Sequence, residues 1–480
     1  AAAAAAFGGS VTGTVERWLW NPQARGPERA KLPPRAARAV EAAHLARDLA
    51  ALGADEPAQV RLVLLAQLEN LLVTAGDPAT AAERIGVRPL REALSPPGGF
   101  SVETAAELLD EAVKRGMWDA AAAVAAALGP ETGAEPDAPL PVAVRKALVR
   151  ALAVPDPALQ FAAARTLALA AGPPPWAGSS RMVEVLAHAA TAGGDDLAVV
   201  AHPDRAIAQE LAAGVSRFGY RTIDVSTGRD AILAARASAD TVLVILAARL
   251  VRPTAGETVE FLRHQGVGGE PPVLVVVDPL DDDGRGCFLQ RLILQFRDAP
   301  CVAIVDGLDS FFTGAAAGDL VLPPRFADAV ARTAGPAAVD PASRQAARTA
   351  RHARARAALA LLARLGRSGH DVATALDAAR RAVVAPSLAG PAATLLSTIG
   401  RPAAQQALAA EATRAGIEPA SRELALAAFA VNVERYGLLL GRGDLRTLVV
   451  NYTADSDAAV RRASGAIIDV IEAPRRTPAT

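Results

Sequence analysis

Cysteine is nearly absent from this chain of 480 residues: Cys287 and Cys301 stand alone, without CxxC spacing, which excludes a disulfide scaffold and a cysteine-built zinc or redox centre. Both are expected to be buried packing thiols. Aromatic residues supply only 4% of the chain. Lysine occurs three times, at Lys31, Lys114 and Lys146. The 50 basic residues are balanced by 51 acidic ones, so no net field favours nucleic acid or an anionic membrane. No uninterrupted apolar run reaches the roughly 18 residues that a transmembrane helix needs. The signatures GxSxG, HExxH and GxxxxGK are also missing, which removes the common serine-hydrolase, zinc-protease and P-loop chemistries.

What is present is alanine, the strongest helix former, within a composition that is 51% hydrophobic. Helices packed closely through small side chains are the expectation. A chain of this length exceeds one hydrophobic core, and its patterning suggests four segments. Residues 1–34 read as an irregular connector packed down by Trp18 and Trp20. Residues 35–192 read as helices, beginning with a hairpin over 35–54 and 57–76 and continuing past a proline-rich linker at 130–141. Residues 193–335 form an α/β island, and residues 336–480 return to helices. His44 has no second ligand nearby and reads as a packing or surface residue. Ser179 and Ser180 read as helix caps, with His188 on the helix that follows. Trp176, after three prolines, reads as a pin for its connector.

Within the island, LAVVAHP, RTIDVS, TVLVIL, PVLVVV and CVAIVD read as five strands, each followed by a helical pattern. Continuous β-branched runs imply burial on both faces, hence a parallel sheet with helices on either side. The default order is 2-1-3-4-5, the flavodoxin-like arrangement, which places a ligand site at the carboxyl ends of strands one and three.

Two resemblances follow from these stretches. DPALQFAAARTLALAA, with an Asp-Pro turn before a helix of small residues, resembles the second helix of a HEAT-type repeat, as does DSDAAVRRASGAIIDVIE near the end. Gln160 stands where that repeat commonly has Arg. The island, from LAVVAHPDRAIAQELAAGVSRFGYRTIDVS to PPVLVVV, resembles the receiver domain of response regulators, over about 140 residues. The layout as a whole resembles helical-repeat proteins of GC-rich bacteria such as planctomycetes. These likenesses imply a mixed fold: a HEAT-like helical array interrupted by a receiver-like α/β domain.

A working receiver needs an acidic pair after strand one, an Asp at the end of strand three, a hydroxyl after strand four and a Lys after strand five. The carboxylates hold Mg²⁺ and the Lys neutralises the phosphoryl group. Here the acidic pair falls near Ala201 and His202, with Asp204 two residues late, and the acceptor position falls at Ile245. The hydroxyl position falls at Val277, and the Lys position at Asp306. The resemblance therefore implies a phosphorylation-incompetent pseudo-receiver. His202 alone offers a metal or anion ligand; a hydrogen-bonded surface residue is the plainer expectation. Asp278, Asp281, Asp282 and Asp283 are weak metal candidates, lacking calcium-loop spacing, and a solvated acidic turn is the plainer expectation.

The expected function is a non-enzymatic scaffold or protein–protein interaction component without a cofactor, its partners being other proteins in a larger complex or further copies of itself. The alternative is a signalling regulator whose receiver-like domain switches by binding a metal or small ligand at the acidic rim. The chain opens on AAAAAAFGGS without a methionine. The cytoplasm is the default compartment, and a periplasmic or envelope location stays open.

Overall fold

The computed structural model of the protein describes residues 15–21, 25–32, 34–53, 56–74, 102–129, 140–170, 172–264, 268–277, 287–296, 302–306, 324–335 and 338–473. Asp278, Asp281, Asp282, Asp283 and Cys301 lie outside the described residues, as do the proposed helices between 79 and 95.

The first element is not an irregular connector. Strands β1 (Val15–Asn21) and β2 (Gly26–Leu32) pair antiparallel from Val15↔Leu32 to Asn21↔Gly26. Trp18 is 69% exposed, so it does not pin this segment as expected. The hairpin is held instead by its ladder and by charge pairs on its surface: Arg29 pairs with Glu16, and Arg17 reaches Glu41 at 3.0 Å.

The chain forms two compact units. One comprises Ala1–Leu128, Pro141–Ala163 and Gly194–Ala350; the other comprises Gly129–Leu140, Ala164–Gly193 and Arg351–Thr480. The boundaries expected from the sequence follow the type of element, whereas the units follow packing, so most of the first helical block falls with the island while residues 164–192 fall with the C-terminal helices.

In the first unit, α1 (Pro34–Ala51) and α2 (Pro57–Thr74) form the expected hairpin, α3 (Val102–Lys114) and α4 (Trp118–Ala127) pack beside it, and α5 (Val142–Ala151) packs on α3. Leu65, Leu109, Val124 and Leu148 are fully buried. Glu69 on α2 accepts from the backbone N–H of Ala120 at 2.9 Å, satisfying a donor that the start of α4 would otherwise leave unpaired. Asp156 accepts from the N–H of Leu159 at 2.8 Å and so caps α6 (Pro157–Leu169). Gln160 is 1% exposed. Its amide donates to Val154 O at 2.7 Å, within the turn before the helix, and accepts from Gly268 N at 3.1 Å, the bond that ties the helix start to the island.

The island is a five-stranded parallel sheet of β3 (Leu197–Ala201), β4 (Arg221–Val225), β5 (Thr241–Ala247), β6 (Val273–Val277) and β7 (Val302–Asp306). Their spatial order is β4-β3-β5-β6-β7, the 2-1-3-4-5 order anticipated. Alternation along each strand sends side chains to two cores. Val199, Val244, Leu246 and Val275 meet Ile232, Val259 and Leu292 of α9 (Gly228–Arg236), α10 (Ala255–Arg263) and α11 (Cys287–Gln295). Val200, Leu243, Ile245 and Leu274 meet Leu211, Val215, Phe326 and Val330 of α8 (Arg205–Ser216) and α12 (Pro324–Ala334).

In the second unit α7 (Ser179–Ala189) begins at Gly178, whose φ of 94° takes the N-terminal position that Ser179 or Ser180 was expected to fill. Both serines lie inside the first turn, and no side chain caps it. Beyond α13 (Pro341–Arg367), whose first ten residues belong to the other unit, come a 3-10 turn (Ala373–Ala375) and helices α14 (Leu376–Ala382), α15 (Ala389–Leu396), α16 (Pro402–Ala412), α17 (Pro419–Tyr436), α18 (Arg442–Ala454) and α19 (Ala458–Glu472). Helices α14 with α15, α16 with α17 and α18 with α19 pack as successive pairs, and α17 touches both α15 and α19. Small residues permit the close approach: a side chain at Gly400 would stand 2.8 Å from the ring of Tyr436.

Candidate functional site

The carboxyl rim of the sheet is where a fold of this order gathers ligands. Strand β5 does not end at Ile245. It runs on through Ala247, and the Ala248 N–H still bonds to Val276 O at 2.8 Å. Ile245 is 3% exposed and faces the core shared with α8 and α12. The unbroken apolar run TVLVILAA hides the strand end in the sequence: the strand closes at Ala247, with Ala248 next, two residues beyond the Ile245 at which the receiver resemblance puts an acceptor. Neither alanine can accept a phosphoryl group. Val277 closes β6, buried at 2% exposure, and Asp306 closes β7.

His202 is at the rim, but it is buried, at 7% exposure, rather than a surface residue. Its Nδ1 accepts from the N–H of Asp204 at 3.0 Å. Asp204 serves as the N-cap of α8, its carboxylate accepting from the N–H groups of Ala206 at 2.8 Å and Ile207 at 3.4 Å. Both bonds fall on Oδ1, so that oxygen is committed to the start of the helix. Two further caps line the same side: Thr227 accepts from Asp230 N at 3.1 Å, and Thr254 forms a reciprocal box with Glu257. Those bonds hold the Glu257 carboxyl below its usual range, the backbone N–H of Thr254 contributing most. Gly228 admits the loop after β5, since a side chain there would stand 2.8 Å from Pro253 O and 2.3 Å from Thr258 Oγ1. Among the described residues no group of three or more His, Cys, Asp or Glu side chains is placed to hold a metal.

The concentrated electrostatics lie at the opposite, amino edge, where the sequence reading placed nothing. Asp196, immediately before β3, is 3% exposed. Arg344 Nε donates to its Oδ2 at 2.9 Å, and Arg348 Nη2 approaches the same oxygen at 2.9 Å. Arg344 also donates to Phe218 O at 3.1 Å, and Arg348 to Gly219 O at 2.7 Å. The Arg344 guanidinium lies over the ring of Tyr220, 4.3 Å from its centroid. Burial raises the Tyr220 phenol above its ordinary 10.0, with Arg344 opposing that rise. Every bond here closes on the protein itself, so the arrangement clamps the first turns of α13 to the sheet.

The second unit has a neutral counterpart. Gln405 and Asn432 are fully buried, and the Gln405 amide donates to Asn432 Oδ1 at 3.0 Å and Gly437 O at 2.7 Å. Asn432 Nδ2 donates to Leu396 O at 2.9 Å and Ile399 O at 3.0 Å, carbonyls at and beyond the end of α15. Leu439 N–H completes the set at 2.8 Å from Gln405 Oε1.

No protein-family model and no curated protein matches this chain. A crystal structure of an engineered protein matches at 14% identity over 90% of this chain and 98% of its own, with a TM-score of 0.18, too low to carry an argument.

Proposed function

We propose that the protein is a non-enzymatic interaction component, in which HEAT-like helical pairs and a phosphorylation-incompetent receiver-like domain present surfaces to other proteins. The observation that carries this reading is the carboxyl rim among the described residues: Ala247 and Ala248 stand at the end of the third island strand, and Oδ1 of the nearest carboxylate after β3, that of Asp204, accepts from backbone N–H groups of its own helix. Phosphoryl transfer needs an acceptor, carboxylates for a cation and a neutralising cationic side chain. On this reading, alanine at the acceptor position leaves the domain to contribute a surface rather than phosphoryl transfer.

A difference between the two helical layers supports the same reading. The outer faces of α8 and α12 carry Gln209, Glu210, Arg325, Asp328 and Arg332. Those of α9, α10 and α11 expose Leu233 at 56%, Phe261 at 50%, Ile293 at 49% and Leu294 at 67%. Apolar groups on neighbouring helices favour contact with a partner surface. Among the described residues no helix is long and apolar enough to cross a membrane, which leaves these side chains without a bilayer-spanning role.

A native pull-down from the source cells with the intact chain and with a Phe261→Glu, Leu294→Glu double variant tests the proposal. Proteins retained by the first and lost from the folded second support it; an identical set from both removes this face from the account.

A further inference from the structure

His370 is 6% exposed, and neither ring nitrogen has a hydrogen-bond partner among the described residues. Its ring meets Trp176 edge-on, with centroids 6.4 Å apart and planes at 74°, and the Trp176 indole N–H is likewise buried without a partner. Three polar atoms are therefore enclosed at one contact, between the proline-rich segment 172–178 and the turn after α13. A neutral imidazole tolerates that enclosure at the cost of its lost hydration. An imidazolium needs an acceptor, and none of the described residues supplies one.

The charged groups on the surrounding elements are engaged elsewhere or exposed. Arg364 on α13 donates to Leu169 O at 3.0 Å, and Arg435 on α17 donates to Gly366 O at 3.0 Å. Asp371 accepts from Ala373 N at 3.0 Å, and Arg181 pairs with Glu184 on α7 at 3.3 Å. Arg367 is exposed, and His188 stands at the far end of α7.

We propose that the Trp176–His370 contact is an acid-sensitive latch, closed while the imidazole is neutral and opened by its protonation, which frees segment 172–178 from the turn after α13. Burial lowers the His370 pKa from its ordinary 6.5. In the interval between the folded and ordinary values the unfolded chain holds a proton that the folded chain does not. Stability is thus complete above about pH 6.5 and is lost as the pH falls below it.

Thermal unfolding of the full chain from about pH 7.5 to about pH 5 is the test, comparing the natural sequence with His370→Phe and His370→Gln. Each tenfold difference in proton affinity between folded and unfolded chains corresponds to roughly 3–5 °C in the midpoint. The variants are expected to show a shallower loss than the natural chain. Equal slopes in all three overturn the proposal. If neither variant folds, NMR titration of the His370 ring in the natural chain decides: protonation below the ordinary histidine range, together with a change in the Trp176 signal, supports the latch. Protonation at or above that range, with the Trp176 signal unmoved, overturns it.

Discussion

At the carboxyl rim of the sheet, Ala201, Val225, Ala247 and Val277 end four strands and Asp306 the fifth, and among the described residues the side chains of Asp204, Thr227 and Thr254 cap helix N-termini. At the amino edge, 148 residues of sequence separate Asp196 from Arg344, yet their charges meet in the protein interior with Arg348 and Tyr220. In folds of this order reactive groups usually gather at the first edge and little at the second. Among the described residues the buried charge lies at the second edge, where it fixes the position of α13. Perturbed and buried ionisable groups therefore mark a structural joint in this molecule, a reminder that ion-pair networks and active sites share an electrostatic signature.

The largest effect expected from this comparison comes from Asp196→Ala. Removing the one carboxylate leaves the mostly buried Arg344 and the part-exposed Arg348 without their counter-charge, a loss of about 3 kcal/mol, the low end for a broken buried pair. Urea unfolding followed by the ellipticity of the whole chain checks it; a loss within the scatter of surface substitutions would mean that the amino-edge cluster holds nothing together. A smaller effect is expected from His202→Ala at the rim. That change deletes one hydrogen bond to an exposed turn, costing about 0.5–1.5 kcal/mol. A loss as large as that of Asp196→Ala would show that the rim is itself a strained or highly organised site.

Much of the fold was legible because its signals are local. The five β-branched strands, their order and the helices between them follow from runs of Val, Ile and Leu broken by Gly, Pro and Asp, and the cap at Asp156 stands beside the proline that starts its helix. What was not legible depends on partners far away in sequence or on boundaries that leave no mark. The end of β5 is hidden because Leu246, Ala247 and Ala248 continue the apolar run past Ile245. The β1–β2 hairpin leaves little mark in the sequence because Pro27 lies inside its second strand and the exposed Glu16, Arg17, Trp18, Glu28 and Arg29 run through both strands. The amino-edge clamp, the cap that Glu69 gives α4 and the Gln405–Asn432 network all join distant segments through single polar residues, which in sequence look like any others on a helix.

The most direct test of the plain rim is the intact mass of the protein after incubation with acetyl phosphate and Mg²⁺. With alanine at the end of β5, no phosphoryl adduct is expected. A stoichiometric adduct, abolished by replacing Asp204 or Asp306 with Asn, would show that the island retains a receiver's chemistry and would contradict the account.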